Sequence, residues 1–167
     1  RDRFDAIHRL IYKYSNGQLE LATSSSEIFN IIKSDKKAIM IGVENAYPIG
    51  ENIEIIEEFY ERGARYMSLS HNGHNQLSDS NTGEYDGSYL HDGLSELGEK
   101  AIIKMNELGM MIDISHPSKE SIRQTLQLSK APIIASHSSA RYLCDHARNI
   151  DNELLDMIKL NGGVVQT

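Results

Sequence analysis

Two stretches of the chain end alike. MMIDISHPS (110–118) and PIIASHSSA (132–140) each run an apolar segment into Ser-His-x-Ser. Two further apolar segments end on a group of the same chemical kind: AIMIGV (38–43) runs into Glu44, and RYMSLS (65–70) into His71. Glu44, His71, His116 and His137 therefore each follow a strand-like run. Carboxylates and neutral imidazoles serve as zinc ligands and as general acids or bases. Glu44, His116 and His137 make a two-imidazole, one-carboxylate set of the kind that holds a catalytic zinc with one position open for water. The donor types alone do not select zinc over manganese or iron. Arg148, in CDHARN after the His137 run, is a candidate clamp for a substrate carboxylate, because its planar fork matches a carboxylate bidentately. A surface ion pair accounts for Arg148 equally well.

These residues converge only if the runs are parallel strands with a common C-terminal edge. Helical periodicity is read over 5–17, 52–63, 95–109, 118–129 and 151–163, and SSSEIFNIIKS opens with Ser24 and Glu27 at capping-box spacing. Strands are expected at 38–43, 65–70, 110–114, 132–136 and 163–167. The expected order is thus two helices, then strands alternating with helices, interrupted by a polar segment at 71–93. Such alternation implies an α/β fold with a parallel sheet, where functional groups gather at the strands' C-terminal ends. The polar segment is too long for a simple connection and is expected to be functional or mobile, with His74 and His91 solvated in it. Asp113, by strand alternation, shares a face with Ser115 rather than His116. It either orients a ligand or is simply a buried, hydrogen-bonded group.

Other chemistries are disfavoured. The chain carries a net charge of −7 and no Lys/Arg cluster, which argues against nucleic-acid binding. Cys144 is the only cysteine, so an intrachain disulfide and a Cys-rich zinc site are ruled out. No apolar run reaches the roughly 18 residues of a membrane span, and RDRFDAIHRL holds no signal-peptide core. Cytoplasmic and exported locations both stay open. Neither a G-x-S-x-G elbow nor a Gly-rich phosphate loop occurs.

The segments IGVENAYPIG, RYMSLSHNGHNQLSDS, GLSELGEKAIIKMNELGMMIDISHPS and APIIASHSSARYLCDHARNIDNELLDMIKLNGGVV closely resemble the membrane (renal) dipeptidase family, in order from about residue 38 onward. The resemblance implies a (β/α)₈ TIM barrel with a two-zinc centre and dipeptides as substrates, hydrolysed by a metal-bridged hydroxide. It implies that Glu44 bridges the metals and that His116 and His137 ligate the second one. It implies that His71 contacts substrate and steadies the tetrahedral intermediate, and that Arg148 holds the substrate carboxylate. A homodimer is among the expected assemblies.

One departure is plain. The family's His-x-Asp pair for the first metal occurs nowhere in this chain. A full barrel takes about 250 residues, so residues 1–167 are expected to form a single partial domain, the middle of a barrel with about five strands. Two alternatives follow: a catalytically inactive barrel relative that binds or scaffolds, and another metal-dependent amidohydrolase. Glu44 at the bridging position disfavours the second.

Overall fold

A computed structural model describes residues 1–167. The elements are α1 (Asp2–Arg9, continued by a π-helical turn Leu10–Tyr14), β1 (Leu19–Leu21), α2 (Ser25–Lys33), β2 (Lys37–Ile39), β3 (Ile41–Val43), α3 (Ile55–Glu61), β4 (Ala64–Ser68), α4 (Glu96–Leu108), β5 (Met111–Asp113), α5 (Lys119–Leu128), β6 (Ile134–Ala135), α6 (Asn152–Asn161) and β7 (Val164–Val165). Five strands form one sheet in the order β3-β4-β5-β6-β7, every neighbouring pair parallel. Each strand pairs with the next in the chain and the order never reverses. That is the winding of a barrel wall, not of a doubly wound open sheet. The chain is therefore a portion of a (β/α)₈ barrel, as the family resemblance implied.

The sequence reading missed one strand. Leu19–Leu21 forms a second parallel pair with Lys37–Ile39. Three residues with one buried-side alternation carry too little pattern to stand out from the polar segment around them. The run AIMIGV is correspondingly two strands: Lys37–Ile39 pairs with β1, the chain breaks at Met40, and Ile41–Val43 pairs with β4. The predicted opening of two successive helices is thus helix, strand, helix, strand.

The core lies between sheet and helices. Ile41, Met67, Leu69, Ile112, Ile114, Ile133 and Ala135 from the strand segments meet Ile56, Phe59, Ala101, Ile102, Met105, Ile122, Leu154 and Ile158 from the helices. No helix is long and apolar enough to cross a membrane.

Helix ends follow their sequence signals. Ser24, Ser95, Ser118 and Asp151 each cap a helix by accepting from a backbone N–H three residues on. Glu27 bonds back to Thr23 N at 2.6 Å rather than to Ser24, so the capping box is displaced by one residue. Gly109 ends α4 at φ 74°, a conformation that costs an L side chain energy and glycine little.

Helix α4 presses against the polar segment at one point. A Cβ on Gly98 would lie 2.0 Å from the Leu77 carbonyl oxygen, a backbone atom that cannot swing aside. Gly98→Ala is expected to destabilise by about 3 kcal/mol, the upper end of ordinary overpacking. Denaturant unfolding checks this, and an unchanged midpoint would show that the contact yields freely.

Segment 71–93 is ordered from within. The fully buried Asp79 carboxylate accepts from Leu90 N at 2.8 Å, His91 N at 3.1 Å and Gly93 N at 2.9 Å. Asn75 Oδ1 accepts from Leu77 N at 2.8 Å, and Asn75 Nδ2 donates to Leu69 O at 2.7 Å. The expectation of solvated histidines is corrected here. His91 Nε2 donates to Asn75 O at 2.8 Å, while His74 Nδ1 lies 3.1 Å from Ser80 N and 3.0 Å from Asp79 Oδ1. Both rings hold the segment's fold. The segment is also stitched to the next strand end, since Asn81 N donates to His116 O at 2.9 Å and Ser118 N to Asp79 O at 2.9 Å.

Candidate metal centre

The parallel strands deliver Glu44, His71, His116 and His137 to one rim. Glu44 Oε1 lies 2.8 Å from His116 Nε2, 3.1 Å from His137 Nε2 and 3.5 Å from His71 Nε2. The His116 and His137 Nε2 atoms are 3.0 Å apart. Ligand atoms of Glu44, His71 and His116 all fall within 4.8 Å of one another. All the residues singled out by strand ends meet here, and so does Arg148. Its Nη2 lies 3.4 Å from His116 Nε2 and donates to the His137 carbonyl at 3.3 Å.

The donor set fits a divalent ion. Zinc with bonds of about 2.0–2.1 Å holds tetrahedral ligand atoms roughly 3.3 Å apart. The Glu44–His116–His137 triangle has edges of 2.8, 3.1 and 3.0 Å. Three imidazole nitrogens crowd one carboxylate oxygen, and a cation at that point could take a lone pair from each of them. Burial, together with the charges of Arg148 and His71, pushes the His116 imidazole pKa well below its usual value, against the opposing pull of Glu44. His116 is accordingly neutral near pH 7, the form that ligates a metal.

Local structure holds each group. His116 is 5% exposed, and its ring stacks on His71 with centroids 4.0 Å apart. The turn after Glu44 places Asn45 at φ 87°, an unusual conformation for a residue with a side chain. Asn45 N donates to Ser68 Oγ at 2.9 Å, and Asn75 Nδ2 donates to Asn45 Oδ1 at 3.1 Å. Asn45, Ser68 and Asn75 were not singled out by sequence. Their only signal was an Asn directly after a strand-end Glu, a position where positive φ is tolerated. Arg148 sits in a loop closed by Arg141 N to Ile150 O at 2.8 Å, and its own N–H donates to His146 Nδ1 at 3.1 Å. The Arg141–Glu84 ion pair and a 3.2 Å contact from Tyr85 Oη to His146 Nε2 tie that loop to segment 71–93. Arg148 Nη1 is buried and has no hydrogen-bond partner. A guanidinium edge in that state awaits an acceptor.

Fold and site together define a β/α-barrel protein with a donor set at its strand ends that could hold a metal ion. Over residues 1–167 the chain matches the family described as membrane dipeptidase (peptidase family M19), and it belongs to that family. It is 40% identical over 162 residues to dipeptidase verJ of Clonostachys rogersoniana, covering 97% of this chain and 41% of that protein. It is 39% identical over 165 residues to dipeptidase 3 of Mus musculus, covering 98% of this chain and 32% of that one. The crystal structure of the probable dipeptidase PvdM from Pseudomonas aeruginosa superposes with a TM-score of 0.92 at 34% identity, covering 98% of this chain and 42% of PvdM. The chain thus spans well under half the length of these relatives. The family match reaches residue 1, taking in the stretch before residue 38 where the resemblance is weaker.

Proposed function

We propose that the protein hydrolyses dipeptides with the help of zinc bound at Glu44, His116 and His137. The observation that carries this reading is the triangle of ligand atoms with the half-satisfied guanidinium of Arg148 beside it, 3.4 Å from His116 Nε2. Relatives named as dipeptidases support it.

Spacing bears on the C-terminal side of the substrate. Arg148 approaches within 3.4 Å of the ligand atom His116 Nε2. A substrate carboxylate held by Arg148 would lie close to the reacting carbonyl, which supports a single residue after the scissile bond. The dipeptidase names of the relatives support the short N-terminal side. Bound zinc would acidify a water toward neutrality and polarise the scissile carbonyl. The chain's own residues would do the rest. Arg148 binds and orients the carboxylate. His71, 3.5 Å from Glu44 at the open side of the site, steadies the oxyanion that forms as the carbonyl is attacked. Glu44 meets all three imidazoles through Oε1. In a two-metal centre Glu44 would be the residue shared by both zinc ions, as the family resemblance implies. No His-x-Asp pair occurs among residues 1–167 to hold the other ion.

A dipeptide panel assayed on the full-length protein tests the proposal. Activity is expected to vanish on exhaustive chelation and to return with added zinc. Hydrolysis that survives complete metal removal would sink it. Tight zinc binding with no hydrolysis of any dipeptide would instead favour a binding role.

A further inference from the structure

One buried carboxylate joins the two Ser-His strand ends. Asp113, at the end of β5, is fully buried. Its Oδ1 accepts from Ser115 N at 3.0 Å, Ser115 Oγ at 2.6 Å and Ser136 N at 3.1 Å. Its Oδ2 accepts from Ser136 Oγ. Four donors thus converge on the one carboxylate, three of them on Oδ1.

The hydrogens in this cluster can be assigned one by one. Both serine hydroxyls give their single hydrogen to Asp113, so toward every other neighbour they can only accept. Ser115 Oγ accepts from His137 N at 3.1 Å. Ser136 Oγ lies 2.7 Å from His137 Nδ1. With no hydrogen left on that oxygen, the hydrogen in the contact belongs to Nδ1. The neutral form of the imidazole carries one N–H, so in that form Nε2 of His137 holds a lone pair. That lone pair faces Glu44 Oε1 and His116 Nε2, at 3.1 and 3.0 Å.

We propose that Asp113 is a positioning residue: acting through the Ser136 hydroxyl, it fixes His137 as the Nδ1–H tautomer and directs its Nε2 lone pair into the site. What that lone pair binds rests on the proposed zinc function, whereas the tautomer rests on the hydrogen bonds alone. The device serves one imidazole only. His116 Nδ1 is buried with no hydrogen-bond partner, and its ring is held by packing against His71 instead. The recurrence of serine before each histidine then has a physical cause, because both serines are donors to the same carboxylate.

The test uses the full chain, stripped of metal and ¹⁵N-labelled at histidine, at mildly alkaline pH. Long-range proton–nitrogen spectra report which ring nitrogen carries the hydrogen. Wild type is expected to show His137 protonated on Nδ1. Ser136→Ala should lose that signature and populate the Nε2–H form. It should also bind zinc about 10–100-fold more weakly in competition with a chromophoric chelator, the usual cost of losing a partner behind a metal ligand. Ser136→Thr, which keeps the hydroxyl, should restore both. Ser136→Ala leaves Asp113 its other three bonds, so the fold should persist, and circular dichroism checks that it does. A wild-type His137 protonated on Nε2 overturns the proposal. So does a Ser136→Ala variant whose tautomer and zinc affinity are both unchanged. A wild type that binds no zinc but carries the Nδ1 hydrogen overturns the zinc reading and supports the tautomer assignment.

Discussion

Glu44→Gln is expected to lower kcat/KM for dipeptides by about a thousandfold or more, with the fold intact. A bound metal is worth several kcal/mol of transition-state stabilisation, and each 1.4 kcal/mol or so is tenfold in rate. The amide keeps the shape of the side chain and removes its charge. It also places either a weak oxygen donor or an NH₂ group where three imidazole nitrogens converge at 2.8, 3.1 and 3.5 Å. Either orientation disfavours a cation at that point. Glu44 lies beyond the end of β3 with its side chain 45% exposed, so little packing is lost. Steady-state kinetics, together with metal content by atomic absorption, checks the result. A Glu44→Gln variant that retained both zinc and near-wild-type turnover would remove Glu44 from the site.

Asp79→Asn is expected to cost about 1–3 kcal/mol of stability, because even in its better orientation the amide leaves one buried N–H facing a donor, and such a group costs about 1–3 kcal/mol. Oδ2 of Asp79 accepts from both His91 N and Gly93 N, so an amide nitrogen there meets two hydrogens. With the amide turned round, it meets Leu90 N instead. No rotamer satisfies all three donors. Urea unfolding reads the effect as a lower midpoint at unchanged slope.

The same residue sets a pH signature. Burial alone would raise the Asp79 pKa. The backbone N–H groups of Gly93, Leu90 and His91, helped by His74, outweigh burial and hold it below the ordinary carboxylate value. A carboxylate with a depressed native pKa adds stability that is fully present above its unfolded pKa of about 4 and is lost as pH falls through the native value. Wild type should therefore lose stability on acidification below about pH 4 more steeply than Asp79→Asn does. Asp151, Glu57 and Glu58 are also depressed and remain in the variant, so the difference between the two curves belongs to Asp79. Parallel curves would show that Asp79 does not titrate across folding.

The chemistry of the rim was legible because strand periodicity fixes which residue leaves the sheet first. Glu44, His71, His116 and His137 are each the first strong ligand type after an apolar run, and a parallel sheet brings such positions together without any local motif. Alternation also placed Asp113 on the face of Ser115, where the structure has it. The missing readings share a cause. His74, His91 and Asn75 act through backbone contacts across a coil, and no periodicity encodes a coil's internal partners. Strand β1 failed for brevity, and the break at Met40 failed because an apolar run reads the same whether it pairs with one neighbour or two. Arg148 was balanced between clamp and surface pair. Its buried, unpartnered Nη1 argues against the surface pair and supports the proposed clamp, and burial of a single atom is not a property of sequence.

The stitching of segment 71–93 to the strand ends bears on how such a protein can be re-engineered. Connections at the catalytic rim of a barrel are the natural places to graft new specificity, since the wall beneath them carries the fold. This connection is a poor host. Its backbone supplies the acceptor for Ser118 N at the start of α5 and the donor to the carbonyl of His116 itself. A foreign loop spliced between His71 and Gly93 would detach a ligand from its footing even if it spanned the gap perfectly. Tyr142 and Leu143 project into solvent at 84% and 80% exposure from the turn that leads to Arg148. Side-chain variation is better placed there, at Tyr142 and Leu143, where it leaves the supports of the proposed metal site untouched.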